Sequence, residues 1–295
     1  MAKYKPAKIV IGLMLLLTGC GVPNLEAPVL TGPVNDAFVA LQTNRTEDFL
    51  KALEAGADVN TKGTMMKWTL LHQAAAKGNL TAVKAILKKG VADINDQDNI
   101  TKKTVLHCIS DLYTQEDMAK SYKATIAFYR EQWADDPELE TKLAAIPKSS
   151  ENPADYPDPA EIAKLIVAAG ADPNKMDFGN ATPLHRAIYK KNSKLVKVLL
   201  DAKADPEIRH GMFQMDQFPT ALHVAAMMDD AKSIRYLIEA GADKDATMEE
   251  YKVDAASMKL YGIDDDDVIR IQVSNTPLSL AKVLGKEEAV KALSE

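Results

Sequence analysis

Four of the five histidines, His72, His107, His185 and His223, each follow a leucine in a short apolar stretch. A recurring imidazole could ligate a metal or serve as a general base. As one shared metal site the set fails on distance. Equivalent positions of stacked helical units stand roughly 8–10 Å apart, whereas a histidine–zinc bond is about 2 Å. The run Asp264-Asp265-Asp266-Asp267 offers oxygens of the kind calcium prefers. It lacks the spaced acids, glycine and final glutamate of an EF-hand loop and reads as a solvated charge run. No G-x-S-x-G, H-E-x-x-H or P-loop pattern occurs. The residues therefore predict no catalytic centre, no cofactor and no metal.

Of the two cysteines, Cys108 sits beside His107 and reads as a buried, inert thiol. Cys20 has a different setting. Lys3, Lys5 and Lys8 precede an apolar run from Ile9 to Leu17, which suits a signal peptide and is too short to cross a bilayer. The run ends in Leu17-Thr18-Gly19-Cys20, which resembles the box of bacterial lipoproteins. That resemblance implies cleavage after Gly19 and lipidation of Cys20. Ordinary signal cleavage beside the small Thr18 and Gly19 is the alternative. Gly21 stands where an aspartate would favour the inner membrane. By resemblance to Gram-negative sorting, this implies the periplasmic leaflet of the outer membrane. Residues 21–33 hold three prolines and two glycines and read as an extended tether, about 40 Å long at most. The expected division is a signal peptide over 1–19, a lipidated tether over 20–33 and a folded domain over 34–295.

The chain carries a net charge of −6. Removing residues 1–19, with three lysines and no acid, leaves 33 basic and 42 acidic residues, a net −9. That balance argues against nucleic acid, which needs a basic surface. It gives no electrostatic reason to lie on anionic lipid, so membrane attachment is expected only through the N-terminal lipid.

The elements that would position these histidines recur. In Thr182-Pro183-Leu184-His185, Thr182 is a good N-cap and Pro183 fits the first helical position. Leu184, Ala187 and Ile188 follow at helical spacing. A break at Lys191-Asn192 separates them from Leu195, Val196, Leu199 and Leu200 on a second helix. Leu184 reaches Lys203 in nineteen residues; Leu71 reaches Gly90, Leu222 reaches Gly241 and Ala37 reaches Gly56 over the same distance. Thr104-Val105-Leu106-His107 opens another copy, whose closing Gly170-Ala171-Asp172 is displaced 45 residues downstream. Thr276-Pro277-Leu278-Ser279 opens a last one. These T-P-L-H and G-A-D marks resemble the ankyrin repeat, over roughly residues 34–110 and 159–295. The resemblance implies an all-α ankyrin-repeat solenoid of about six repeats, with each histidine tying neighbouring turns together. The first copy lacks T-P-L-H and is expected to cap one end, the last to cap the other.

Two insertions interrupt the pattern. Residues 112–158 contain Met118, Tyr122, Ile126 and Tyr129, then Leu139, Leu143 and Ile146, all at helical spacing, so two added helices are expected in the third repeat. Residues 246–275 include Val268 to Val273, which suits a short strand.

The turns between repeats project as fingers whose tips are normally solvated. Here they carry Met65, Met66 and Trp68, then Met176 and Phe178, then Met212, Phe213, Met215 and Phe218. Tyr189, Met227 and Met228 fall on variable positions of first helices, expected to line the concave side. Methionine and aromatic residues are frequent interface anchors, so these positions are expected to bind a protein partner; packing of finger against finger or on the insertions is the alternative. Ankyrin-repeat lipoproteins of this layout resemble immunity proteins encoded with type VI secretion phospholipase effectors. That resemblance implies a non-enzymatic inhibitor of a toxic lipase, monomeric when free. A resident envelope scaffold, supporting a periplasmic enzyme such as an oxidative-stress enzyme, is the alternative.

Overall fold

A computed structural model describes residues 30–64, 66–112, 158–211, 219–248 and 276–295, with Arg130 and Glu140 inside the first insertion. Six helix pairs follow one another. They are α1 (Gly32–Gln42) with α2 (Thr46–Glu54), α3 (Leu70–Ala76) with α4 (Leu80–Lys89), and α5 (Val105–Ser110) with α6 (Pro159–Ala168). Then come α7 (Pro183–Tyr189) with α8 (Ser193–Asp201), α9 (Ala221–Met227) with α10 (Ala231–Glu239), and α11 (Pro277–Val283) with α12 (Glu287–Ser294). Each pair packs on the next, and α5 lies against both α3 and α7. The fold is an all-α solenoid. Among the described residues the only β feature is a single bridge between Lys62 and Thr69.

Local chemistry starts each helix. Thr69, Thr104, Thr182, Thr220 and Thr276 hold extended backbone before α3, α5, α7, α9 and α11 and form capping boxes with the third residue of the helix. Asn79, Asn192 and Asp230 accept amide bonds at the starts of α4, α8 and α10. Asp158 does the same for α6, with Pro159 in its first turn. α1 begins at Gly32, two residues inside the stretch expected as tether, because Pro33 suits a first helical turn. The second helices close in left-handed turns, at φ +93° for Gly170 and +91° for Gly241; Lys203 holds the equivalent place at +67°.

The core is continuous along the stack. Leu71, Leu106, Leu184 and Leu222 from the first helices meet Ile86, Ile162, Leu195 and Leu237 from the second helices, all essentially inaccessible. Alanines at Ala74, Ala75, Ala187, Ala225 and Ala226 are also buried; their small side chains let the first helices approach closely. A polar ladder runs beside this core. The side-chain oxygen of Asn60 accepts the N–H of Ala92 at 2.8 Å, that of Asn95 accepts Asp172 at 2.7 Å, and that of Asn174 accepts Asp205 at 2.7 Å. Glu207 takes the same role toward Asp243 at 2.9 Å.

The third repeat therefore closes across its insertion. In that insertion Arg130 and Glu140 are both helical and form an ion pair at 3.1 Å. The other residues of 113–157, and the strand expected over 268–273, lie outside the described residues. Among the described helices none is long and apolar enough to cross a membrane.

Candidate protein-binding face

The histidines are structural. His72, His107, His185 and His223 are fully buried. The backbone N–H of the capping threonine points at Nδ1 of each, at 3.4, 3.1, 3.3 and 3.3 Å along the chain, and the threonine hydroxyl lies 2.9 Å from the same nitrogen. Nδ1 is thus the acceptor and Nε2 carries the hydrogen. Nε2 of His72 donates to the Asp96 carbonyl at 3.2 Å and that of His107 to the Ala181 carbonyl at 2.9 Å, each in the following finger. Nε2 of His185 approaches the Ile208 carbonyl without reaching full hydrogen-bond geometry. Burial disfavours the charged imidazolium and holds His107 down at about 4 and His185 at about 3. These rings cap and staple. Cys108 is likewise buried, and burial pushes its thiol up to about 12. Among the described residues no cluster of acids, histidines and cysteines could hold a metal.

An ion network joins the third and fourth repeats beside the insertion. Arg186 on α7 binds Asp177 at the base of a finger and reaches Asp111 at 2.8 Å, and Asp111 binds Lys103 at 2.7 Å. Burial opposes ionisation of Asp177, but the hydrogen bonds and charge of Arg186 outweigh it, and its carboxyl stays below the usual range. Asp177 also accepts the amides of Gly179 and Ala181, which shapes the finger. Asp98 has the same role in the preceding finger, fully buried and bound to the amides of Ile100, Thr101 and Lys103.

The fingers form a ridge. Asn99 donates its N–H to the Met66 carbonyl at 3.2 Å, and Phe178 to the Thr101 carbonyl at 2.8 Å. Successive tips are thereby fixed side by side. Four large apolar residues are exposed among the described ones: Phe178 at 81%, Ile100 at 55%, Met176 at 47% and Val39 at 38%. Three of the four stand on two neighbouring fingers.

The residues singled out from the sequence divide accordingly. Phe178 and Met176 are exposed to solvent. Trp68 is half-buried against the core, stacked on His72 with ring centroids 6.2 Å apart. Tyr189, Met227 and Met228, at the ends of α7 and α9, are also half-buried against the core. The Tyr189 ring meets His210 edge-on at 5.7 Å, and burial raises its phenol to about 12. Met66 and Trp68 line a cleft of about 520 Å³ with Leu30, Phe38 and Val39, between α1 and the first finger. Cys20, Met65, Met212, Phe213, Met215 and Phe218 lie outside the described residues. Ile100 was missed by sequence reasoning, because a lone isoleucine between polar neighbours carries no periodic signal. The Asn60–Asn95–Asn174 ladder was missed too, although an asparagine two residues after each closing aspartate, Asp58, Asp93 and Asp172, would have flagged it.

Paired helices stacked in one direction, with fingers aligned along one edge and apolar residues exposed at their tips, define a repeat module with an extended surface. The profile of the family described as ankyrin repeats matches residues 37–121 and 154–248, more than half of the chain. The chain belongs to the ankyrin-repeat family, whose members generally mediate protein–protein interaction. Similar proteins include the putative ankyrin repeat protein FPV014 of fowlpox virus (strain NVSL), 26% identical over 45% of this chain and 32% of that one. The E3 ubiquitin-protein ligase KEG of Arabidopsis thaliana is 29% identical over 65% of this chain and 11% of its own length. An L-asparaginase of Dirofilaria immitis is 30% identical over 56% and 25% respectively. The chain thus spans at most about a third of these relatives, and what they share with it is the repeat.

Proposed function

We propose that this chain is a lipid-anchored periplasmic binding protein that captures and inhibits a secreted phospholipase toxin, as an immunity protein of a type VI secretion effector does. The observation that carries the binding step is the exposed apolar ridge of Ile100, Met176 and Phe178. Soluble surfaces keep large apolar residues scattered, and a contiguous set marks an interaction site. A lipase needs an apolar mouth to take up lipid, which gives such a ridge a complementary surface. Leu17-Thr18-Gly19-Cys20 supports the anchor. A tethered inhibitor is held at high effective concentration where a lipase must act. Cys20 and the finger residues named above are the sites proposed for lipidation and for the partner.

The test combines labelling and inhibition. Cells expressing the full chain should incorporate labelled fatty acid, and Cys20→Ala should not. The protein without its signal should bind the product of the neighbouring gene, that product should hydrolyse phospholipid, and binding at equal concentration should stop the hydrolysis. Unchanged hydrolysis, together with capture of a resident envelope enzyme, would replace this reading with that of a scaffold.

A further inference from the structure

We infer that the ridge formed by the second and third fingers docks a protein face that is apolar and rimmed by carboxylates; this rests on the protein-binding reading and adds the chemistry of the partner. The tips 64–67, 99–102 and 178–180 contain Lys67 and Lys102 and no acid, and Lys175 stands at the start of the third finger. Lys102 and Lys175 are exposed, Lys67 partly so, and none of them joins a salt bridge among the described residues. The acids of these fingers are already engaged. Asp96 pairs with Lys62 at 2.5 Å, Asp98 is buried against finger amides, and Asp177 is buried against Arg186. A chain of net charge −6 therefore presents a locally cationic edge beside its most exposed apolar side chains.

The two features select together. Phe178, Ile100 and Met176 gain only from a surface that buries them. The lysines reject a basic surface and speed encounter with an acidic one. An anionic bilayer offers both chemistries, but an acidic chain is repelled from it as a whole. A protein face with aliphatic or aromatic residues ringed by Asp and Glu meets every requirement.

The test places p-benzoylphenylalanine at Phe178 in the full, anchored chain, irradiates intact cells and maps the adduct by mass spectrometry. Phe178 is solvent-exposed, so the replacement leaves the fold in place, checked by circular dichroism. The expected adduct is on an apolar protein segment flanked by carboxylates. Its yield should fall at least tenfold with Lys102→Glu plus Lys175→Glu, and several-fold between 50 and 300 mM salt. An adduct on lipid or on a basic segment, a yield indifferent to charge reversal, or no adduct would overturn the inference. The adduct's identity is a separate result. A carboxylate-rimmed partner that is not a phospholipase would sustain this inference while removing the immunity reading, and inhibition without an adduct would do the reverse.

Discussion

Asn95 and Asp172 are 77 residues apart in the chain, yet the Asn95 side chain accepts the Asp172 backbone N–H at 2.7 Å. Asn95 also donates to the carbonyl of Gly170 at 3.4 Å. The same two-bond pattern joins Asn60 to the turn at Gly90 and Ala92, where no insertion intervenes. The turn that closes the third repeat is therefore joined to the preceding repeat by the same two bonds as a turn with no insertion before it.

Excision tests this directly. Replacing 113–157 by a short turn should leave the helical signal per remaining residue unchanged and unfolding as a single transition. Asn95→Ala should cost about 1–2 kcal/mol in urea titration, since it removes both bonds and leaves a backbone amide to find water.

Acid should loosen the stack through its buried histidines. His107 and His185 stay neutral in the folded chain down to about 4 and about 3, whereas in the unfolded chain they take up protons near 6.5. Below 6.5 the unfolded state binds more protons, so the stabilisation present at neutral pH is lost as the pH falls toward the folded values. Between pH 7.5 and 5 each histidine should withdraw about 2 kcal/mol. Denaturant titrations across that range should show the slope, and His107→Gln should flatten it while lowering stability at neutral pH.

Arg186 holds the junction beside the insertion. Arg186→Ala would leave Asp177 buried with its amide bonds but without a counter-charge, and should cost about 2 kcal/mol, since the arginine itself is partly solvated. Pairing it with Asp177→Asn should recover some of that loss. A double-mutant cycle read by thermal unfolding measures the coupling.

Cys108 should report unfolding. Its buried thiol is held far from ionisation at neutral pH, and the thiolate is the reactive form. A thiol reagent should leave the native protein unlabelled for hours and label it at the rate at which the stack opens. Rapid labelling of native protein would show that α5 opens locally.

The repeat itself was legible because its cues are local. Thr-Pro-Leu-His carries a cap, a first-turn proline and a core leucine in four residues, and each acts through neighbours within one turn. For that reason the helix pairs and their core faces could be read from spacing, and the structural role of the histidines from the repeat they mark. Exposure of the fingers could not. Phe178 and Trp68 are both aromatic residues of predicted fingers, yet one stands 81% exposed and the other packs half-buried on His72. Trp68 is followed at once by the capping threonine and falls back on the helix; Phe178 sits at a tip that the Thr101 carbonyl holds outward. Which side chains face a partner depends on how one finger leans on the next, a contact between residues that the sequence places in different repeats. The engagement of Asp96, Asp98 and Asp177, which leaves the ridge cationic on an acidic chain, arises in the same way and was decided only by the tertiary structure.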